Sequence, residues 1–305
     1  MTYVYGPVPS RRLGLSLGID LITRKTCTYD CLYCQVGKTT CHTIKPGPFV
    51  PVKRVLEELE KVLEKTLPDI ITLAGSGEPT LNSEIGQIIS LIKKRTDIKV
   101  ALLTNGSLLW SEAIRERIKG ADIIMPTLST VFENTFRAIH RPHQGLELPM
   151  IIEGLKNLRH DFRGLIFLEV VFLAGFNDSD GEIKGLKRVI DEISPEKIQL
   201  NTVVRPPSDP GAVSLDRGRL EEIEKIFGEK AEIIVNKPLK KRSGKHASRV
   251  ATIIEMSKRR PIRLYDIANV LNISPEETES MVKELLIKGD INMQEHKGEI
   301  FYTAE

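Results

Sequence analysis

Cysteine is scarce in this chain, with four among 305 residues. That is too few, and too unevenly placed, for the disulfide framework of a small secreted domain. Long apolar runs are missing too. The richest, from Phe167 to Phe176, is interrupted by Glu169 and falls well short of a membrane span. The first ten residues lack the basic-then-apolar pattern of a secretory signal. These absences point to the reducing cytoplasm and exclude a membrane protein. There is no internal repeat and no low-complexity tract. Net charge is only +3, so the chain as a whole is not a polycation built for nucleic acid.

What charge there is lies unevenly. From Lys237 to Arg260 nine basic residues face one acid, Glu255, whereas from Pro261 onward four bases face nine acids. The residues before Lys237 balance at 31 of each sign. The basic join also carries Pro238, Ser243 and Gly244, the composition of a linker. The expected division is residues 1–236, a linker at 237–246, and a second domain at 247–305.

The first part alternates strand and helix signals. Short apolar runs at Gly18–Ile22, Asp69–Ala74, Lys99–Thr104, Asp122–Leu128, Leu165–Phe172 and Lys197–Val203 read as buried parallel strands, with a shorter one at Glu232–Val235. Helical patterns lie between them; the clearest puts Val52, Val55, Leu56, Leu59, Val62 and Leu63 on one face. Six strand–helix units predict an α/β fold, an open sheet or a partial (β/α)6 barrel, with ligands at the C-terminal strand ends. Pro7–Gly14 is expected to form a hairpin over that end, bringing Arg11 and Arg12 near it.

The last part predicts helices at Ala247–Lys258, at Leu264–Leu271, and from Pro275 to Gly289 with Ser274 as cap. A hairpin of Ile291–Met293 and Ile300–Thr303 follows. Three helices and a hairpin suggest a winged helix-turn-helix. Its second motif helix carries Glu276, Glu277, Glu279 and Glu284 against Lys283 and Lys288. Such a helix approaches phosphate unfavourably, so the module binds either protein or nucleic acid through the basic join.

Three of the four cysteines, Cys27, Cys31 and Cys34, stand together after the first strand with C-x3-C-x2-C spacing. Thiolates are soft ligands suited to iron–sulfur clusters. Three of them can hold three irons of a [4Fe–4S] cube and leave the fourth open. The alternative is zinc, with Cys41 or His42 completing four ligands. Tyr33 could cover a planar ligand or simply pack the loop. After the second strand comes Gly75-Ser76-Gly77-Glu78-Pro79, whose glycines permit close backbone approach and whose carbonyls could accept from an ammonium group. Asn105, Asn177 and Asn201 stand at later strand ends, where amides can bond ribose hydroxyls or adenine edges, or shape turns. Arg141, in Ile139–His143, and Arg205 place cations at the same rim.

The cysteine triplet followed by Ser76-Gly-Glu-Pro79 resembles the radical S-adenosylmethionine (SAM) superfamily, over roughly residues 15–205. That resemblance implies three irons held by the cysteines and SAM chelating the fourth. It implies an electron donor of the flavodoxin or ferredoxin type, and reductive cleavage of SAM to a 5′-deoxyadenosyl radical that abstracts hydrogen. It also implies that Tyr33, Gly75, Ser76, Gly77, Glu78, Asn105, Ser129, Asn177 and Asn201 face SAM. The motif departs from the common G-G-E-P by Ser76, which offers the same carbonyl. With only Cys41 to spare, no auxiliary cluster and no cysteine-pair methyl transfer is expected. The His-Arg-Pro-His and Asn-Thr-Val-Val-Arg-Pro-Pro segments resemble the wyosine-type tRNA-modifying branch, although no cysteine precedes Cys27 for the second cluster found there. The expectation is a single-cluster enzyme with a macromolecular substrate, RNA before protein. Radical activation of a protein partner is one alternative, and a non-catalytic iron–sulfur DNA sensor is another.

Overall fold

The computed structural model describes residues 2–22, 25–234 and 249–304. The basic join expected at 237–246 and the start of the helix expected from Ala247 lie outside the described residues.

An N-terminal hairpin of β1 (Val4–Ser10) and β2 (Gly14–Ile19) leads into a tiny parallel ribbon, β3 (Thr26–Cys27) with β4 (Cys41–His42). Strand and helix then alternate: α1 (Val52–Leu63), β5 (Ile70–Leu73), α2 (Ile85–Lys93), β6 (Val100–Thr104), α3 (Glu112–Ile118), β7 (Ile123–Pro126). Two helices, α4 (Glu133–His140) and α5 (Leu148–Asp161), precede β8 (Leu165–Phe172). Then come α6 (Asp180–Ile193), β9 (Lys197–Thr202), α7 (Arg217–Phe227) and β10 (Ala231–Ile233). The main sheet has eight strands in the order β1-β2-β5-β6-β7-β8-β9-β10, antiparallel at β1 and parallel throughout the rest.

Strand alternation assigns the two faces. One face sends Leu17, Ile19, Ile71, Leu73, Val100, Leu102, Ile124, Ile166, Leu168 and Leu200 into one large core. That core is shared with Val55, Leu59, Ile88, Ile118, Leu155, Leu186 and Ile223 from the helices, so the helices cover this face. The opposite face carries a small cluster around Ile70, Ala101, Ile123, Met125 and Phe167. Polar Ser16, Thr72, Glu169, Gln199 and Asn201 alternate with the outward-facing core residues. A doubly wound sheet would bury both faces under helices. Helices on one side and a polar inner face on the other are the arrangement of a partial barrel.

Helix α1 shows how local sequence serves this plan. Pro51 stands just before its first turn, where a missing N–H costs nothing. Val55, Leu56 and Leu59 then recur on one face and are buried, while Lys53, Glu57 and Glu60 remain exposed. Sealing Leu59 alone contributes about 2 kcal/mol.

The first strand runs Gly14–Ile19 rather than Gly18–Ile22. Asp20 ends it, because its carboxylate turns back to accept from the Ile22 N–H at 3.1 Å, and Leu21 and Ile22 are buried outside the ladder. The expected hairpin forms, and Tyr5 on β1 lies so close over Gly18 that a Cβ there would meet the ring at 2.1 Å.

The C-terminal unit contains α8 (Arg249–Arg259), α9 (Leu264–Leu271) and α10 (Pro275–Lys288), followed by the hairpin β11 (Asn292–His296) and β12 (Glu299–Thr303). Ser274 caps α10 by accepting from Glu277 N–H, and Gly289 ends it in the left-handed region. Its core of Ile253, Ile267, Val282, Leu285, Ile291 and Tyr302 also takes in Val8 of β1. Two ion pairs rivet it to the barrel: Arg259 to Asp20 at 2.5 Å and Arg205 to Asp266 at 3.1 Å.

Candidate active site

The cysteine loop is fastened on every side. Its β3 end pairs with β4, and Thr43 N–H donates to Cys27 O at 3.1 Å. Leu32 N–H donates to Ile139 O at 2.9 Å, and Asp30 N–H to His140 O at 3.0 Å, docking the loop on the end of α4. Ser208 Oγ donates to Cys31 O at 2.8 Å and Leu32 O at 3.0 Å. The rim segment Ile139–His143, and Ser208 just after the Arg205–Pro207 segment, therefore clamp this loop. Their cations are already engaged: Arg141 pairs with Asp209 at 2.8 Å and Arg205 with Asp266.

Cys27, Cys31 and Cys34 are half-buried, whereas Cys41 is exposed. Burial, followed by the charge of Glu78, pushes the Cys27 thiol up to about 12. Burial and then the neighbouring Cys27 and Cys34 push Cys31 well above its ordinary value. Thiols so placed need strong nearby positive charge to ionise, which a metal centre supplies. Among the described residues no three His, Cys, Asp or Glu side chains could hold a single ion. A zinc site needs such convergence, whereas a cube takes each thiolate on its own iron. The donor set fits a cluster.

Behind the loop stands a buried histidine, His140, from the His-Arg-Pro-His segment, whose contact with Cys31 no local pattern marks. His140 Nδ1 lies 3.4 Å from Cys31 Sγ and 3.3 Å from Tyr33 Oη. Burial pulls its pKa down to about 3, so the ring is neutral. Tyr33 stands edge-on to that ring and packs beside Leu32 and Ile139.

The glycine loop leaves β5 and runs against the cysteine loop. A Cβ on Gly77 would sit 1.8 Å from Thr26 O, and one on Gly75 would sit 2.2 Å from Asp20 Cγ. Ser76 offers its N–H to Asp20 Oδ1 at 3.1 Å and its hydroxyl to Asp20 Oδ2 at 2.5 Å. Glu78 is sealed, and both its oxygens are occupied. Oε1 accepts from Thr80 N–H, Thr80 Oγ1 and Thr104 Oγ1, and Oε2 accepts from Asn105 N–H at 2.7 Å. Burial still leaves its pKa raised against the pull of those bonds. Its carboxylate therefore locks β5 to β6.

The later strand ends divide. Asn105 Nδ2 reaches Thr28 Oγ1 at 2.7 Å and Cys27 Sγ at 3.6 Å, joining β6 to the cysteine loop. Asn201 donates to Glu169 Oε1 at 2.9 Å on the inner face, where Arg12 also pairs with Glu169 at 2.8 Å. Asn177 and Ser129, expected to face SAM, lie deeper than the others. Both are fully buried. Asn177 gives its amide to Ser129 O and Val171 O and accepts from Leu173 N–H, while Ser129 Oγ accepts from Val171 N–H. Their side chains close the β7 and β8 ends from these buried positions.

A partial barrel with a thiol triplet beside a glycine cradle defines an iron–sulfur, SAM-dependent enzyme. The chain belongs to the radical SAM superfamily, whose family model matches residues 21–185. It is an enzyme, and its cofactors are a [4Fe–4S] cluster and SAM. It is 33% identical to a UPF0026 protein of Methanocaldococcus jannaschii over 99% of this chain and 96% of that one. It is also 36% identical, over 93% of its length, to a Brachyspira hyodysenteriae protein named GTPase Obg, and spans only 42% of that longer chain. Among solved structures, TYW1 with a lysine-pyruvate adduct bound superposes with a TM-score of 0.54 at 15% identity, covering 74% of this chain and 76% of that one. At that identity the likeness is one of fold. Among the described residues no helix is long and apolar enough to cross a membrane.

Proposed function

We propose that Cys27, Cys31 and Cys34 hold the cluster and that the Gly75–Pro79 backbone receives the SAM ammonium. The observation that carries this is the close approach of Gly77 to Thr26 O, one residue before Cys27. It packs the backbone of the glycine loop against the strand that leads into the cysteine loop, an approach that a side chain at residue 77 would block. When bound, the cluster supplies the electron that cleaves SAM to methionine and a 5′-deoxyadenosyl radical, which abstracts hydrogen from substrate. The chain's own part is positional. Glu78 and Asn105 fix the two loops to each other, His140 shields Cys31, and Asn201 with Glu169 supplies polar groups on the inner face. Electrons come from a flavodoxin- or ferredoxin-type donor.

The substrate favoured by the sequence is RNA, in the manner of the wyosine-type branch, with residues 247–305 as a winged helix. The helix–helix–helix–hairpin order of the C-terminal unit supports that second point. Its acidic α10 directs nucleic acid to other surfaces. Superfamily membership favours catalysis over the iron–sulfur sensor alternative, while radical activation of a protein partner stays as the rival.

Anaerobic reconstitution followed by dithionite and SAM tests the core of this reading. It should release 5′-deoxyadenosine; none from protein carrying an intact cluster overturns it. Sequencing RNA that co-purifies tests the substrate.

A further inference from the structure

A cavity opens between the barrel and the C-terminal unit, directly beside the cysteine loop. Gln35 and Val36, which follow Cys34, stand in its wall, as does Gly75 of the glycine loop. Five arginines line it: Arg11 and Arg12 from the β1–β2 turn, Arg205 after β9, and Arg259 and Arg260 from the end of α8. Its interior offers about 190 Å³ to the centres of water-sized molecules, against the ~10–15 Å³ that one water requires.

Three of the five have carboxylate partners: Arg12 with Glu169, Arg205 with Asp266, Arg259 with Asp20. Among the described residues, neither Arg11 nor Arg260 closes an ion pair, and Arg259 Nε is buried with no hydrogen-bond partner. The unpaired guanidiniums also face like charge. Burial first, then Arg12 and Arg260, lower the Arg11 pKa to about 10, and burial with Arg260 lowers Arg205 to about 9. Glu169 and Asp266 offset part of this charge, but three carboxylates against five guanidiniums leave an excess of cations that folding alone does not reward in a half-enclosed space. A bound anion reverses the sign of that arrangement.

We propose that this cavity is an anion subsite that takes a phosphate group of the substrate between Arg11 on the barrel and Arg260 on the C-terminal unit. Guanidinium forks match phosphate oxygens bidentately, and two unpaired forks on facing walls suit a dianion better than a single carboxylate. The C-terminal unit is thereby a wall of the substrate site, whatever else it binds. The inference deepens the radical SAM reading and rests on it for the identity of the neighbouring loops. The phosphate belongs either to a free nucleotide or to an RNA strand.

The test is calorimetric titration of the full-length, cluster-reconstituted protein with inorganic pyrophosphate, a nucleoside triphosphate and a short 5′-phosphorylated RNA. Pyrophosphate should bind, more weakly as salt rises. Arg11→Ala and Arg260→Ala should each weaken it about tenfold or more, the loss of one charge-assisted contact. Arg163→Ala, an exposed arginine away from the cavity, should leave it unchanged. A gain from pyrophosphate to nucleotide with no further gain on RNA assigns a small molecule, and a further gain assigns RNA. Arg11→Ala should melt no lower than the parent in the absence of anion, because it removes repulsion from Arg12 and Arg260. No pyrophosphate binding, or equal weakening by Arg163→Ala, overturns the subsite. SAM cleavage with dithionite is scored separately. Cleavage without anion binding sinks this inference alone, and binding without cleavage sinks the catalytic reading alone.

Discussion

Asn105 donates its amide to Thr28 Oγ1 at 2.7 Å, tying the end of β6 to the residue that follows Cys27. Two loops separated by most of a barrel half thus move as one body, and the first cysteine inherits its position from a residue on another strand.

Asn105→Ala should therefore loosen the cysteine loop without removing a thiol. The lost hydrogen bonds cost about 1 kcal/mol. Iron should still enter on reconstitution but leave faster to a chelator than in the parent. An unchanged chelation rate would show that the tie is idle.

Cysteine replacement should separate sharply by position. Cys31→Ala should abolish the brown colour and SAM cleavage, whereas Cys41→Ala, at an exposed position on β4, should leave iron content at the parental level. Loss of iron in Cys41→Ala would revive a four-ligand metal site.

Glu78→Gln tests a lock. Its Oε1 contacts tolerate the amide, but an NH₂ facing Asn105 N–H sets donor against donor. We expect a loss of about 1–3 kcal/mol in unfolding free energy. SAM affinity should fall less than stability does, because both carboxylate oxygens are engaged within the protein.

Ser129→Ala and Asn177→Ala should behave as backbone-closing residues. Each should lower the melting temperature, Asn177→Ala the more, since it leaves two buried carbonyls and one N–H without partners. KM for SAM should stay within about twofold, below the tenfold that the loss of one ligand hydrogen bond near 1.4 kcal/mol would bring. A selective rise in KM at parental stability would restore the nucleoside role.

Acid should release the C-terminal unit. Burial works to raise the Asp266 carboxyl, but Arg205, Arg260 and Arg263 together with the Arg263 N–H hold it below the usual carboxylate range. A depressed folded-state value stabilises above the unfolded value, about 3.9, and that stability is lost as pH falls through the lower folded value. The gap in melting temperature between the parent and Asp266→Asn should be constant from about pH 5 to 8 and close below about pH 4. A gap that already closes near neutrality would assign it to another group.

Much of this was legible in the sequence because it rests on local spacing. β8 spans the expected Leu165–Phe172, α9 the expected Leu264–Leu271, and Ser274 and Gly289 bound α10 where their side-chain chemistry places them. The choice between open sheet and partial barrel needed the faces: only coordinates show that Thr72 and Glu169 point away from the helices. The strand-end polar residues were ambiguous for a physical reason. Asparagine closes a strand end with the same atoms that would bind a ribose, and Asn177 and Asn105 look alike until their partners are seen. Arg259 with Asp20, and His140 with Cys31, join residues 239 and 109 positions apart. No local pattern marks such pairs.

The clamps on the cysteine loop also set an order of events at the ribosome. Cys31 and Leu32 emerge early, yet their backbone is held by Ile139 and Ser208. Until synthesis has passed residue 208 the Cys31–Leu32 backbone lacks part of that clamp. Stable cofactor loading is accordingly expected late in biogenesis, and a chain stalled halfway should carry all its thiols yet hold iron less firmly than the full chain.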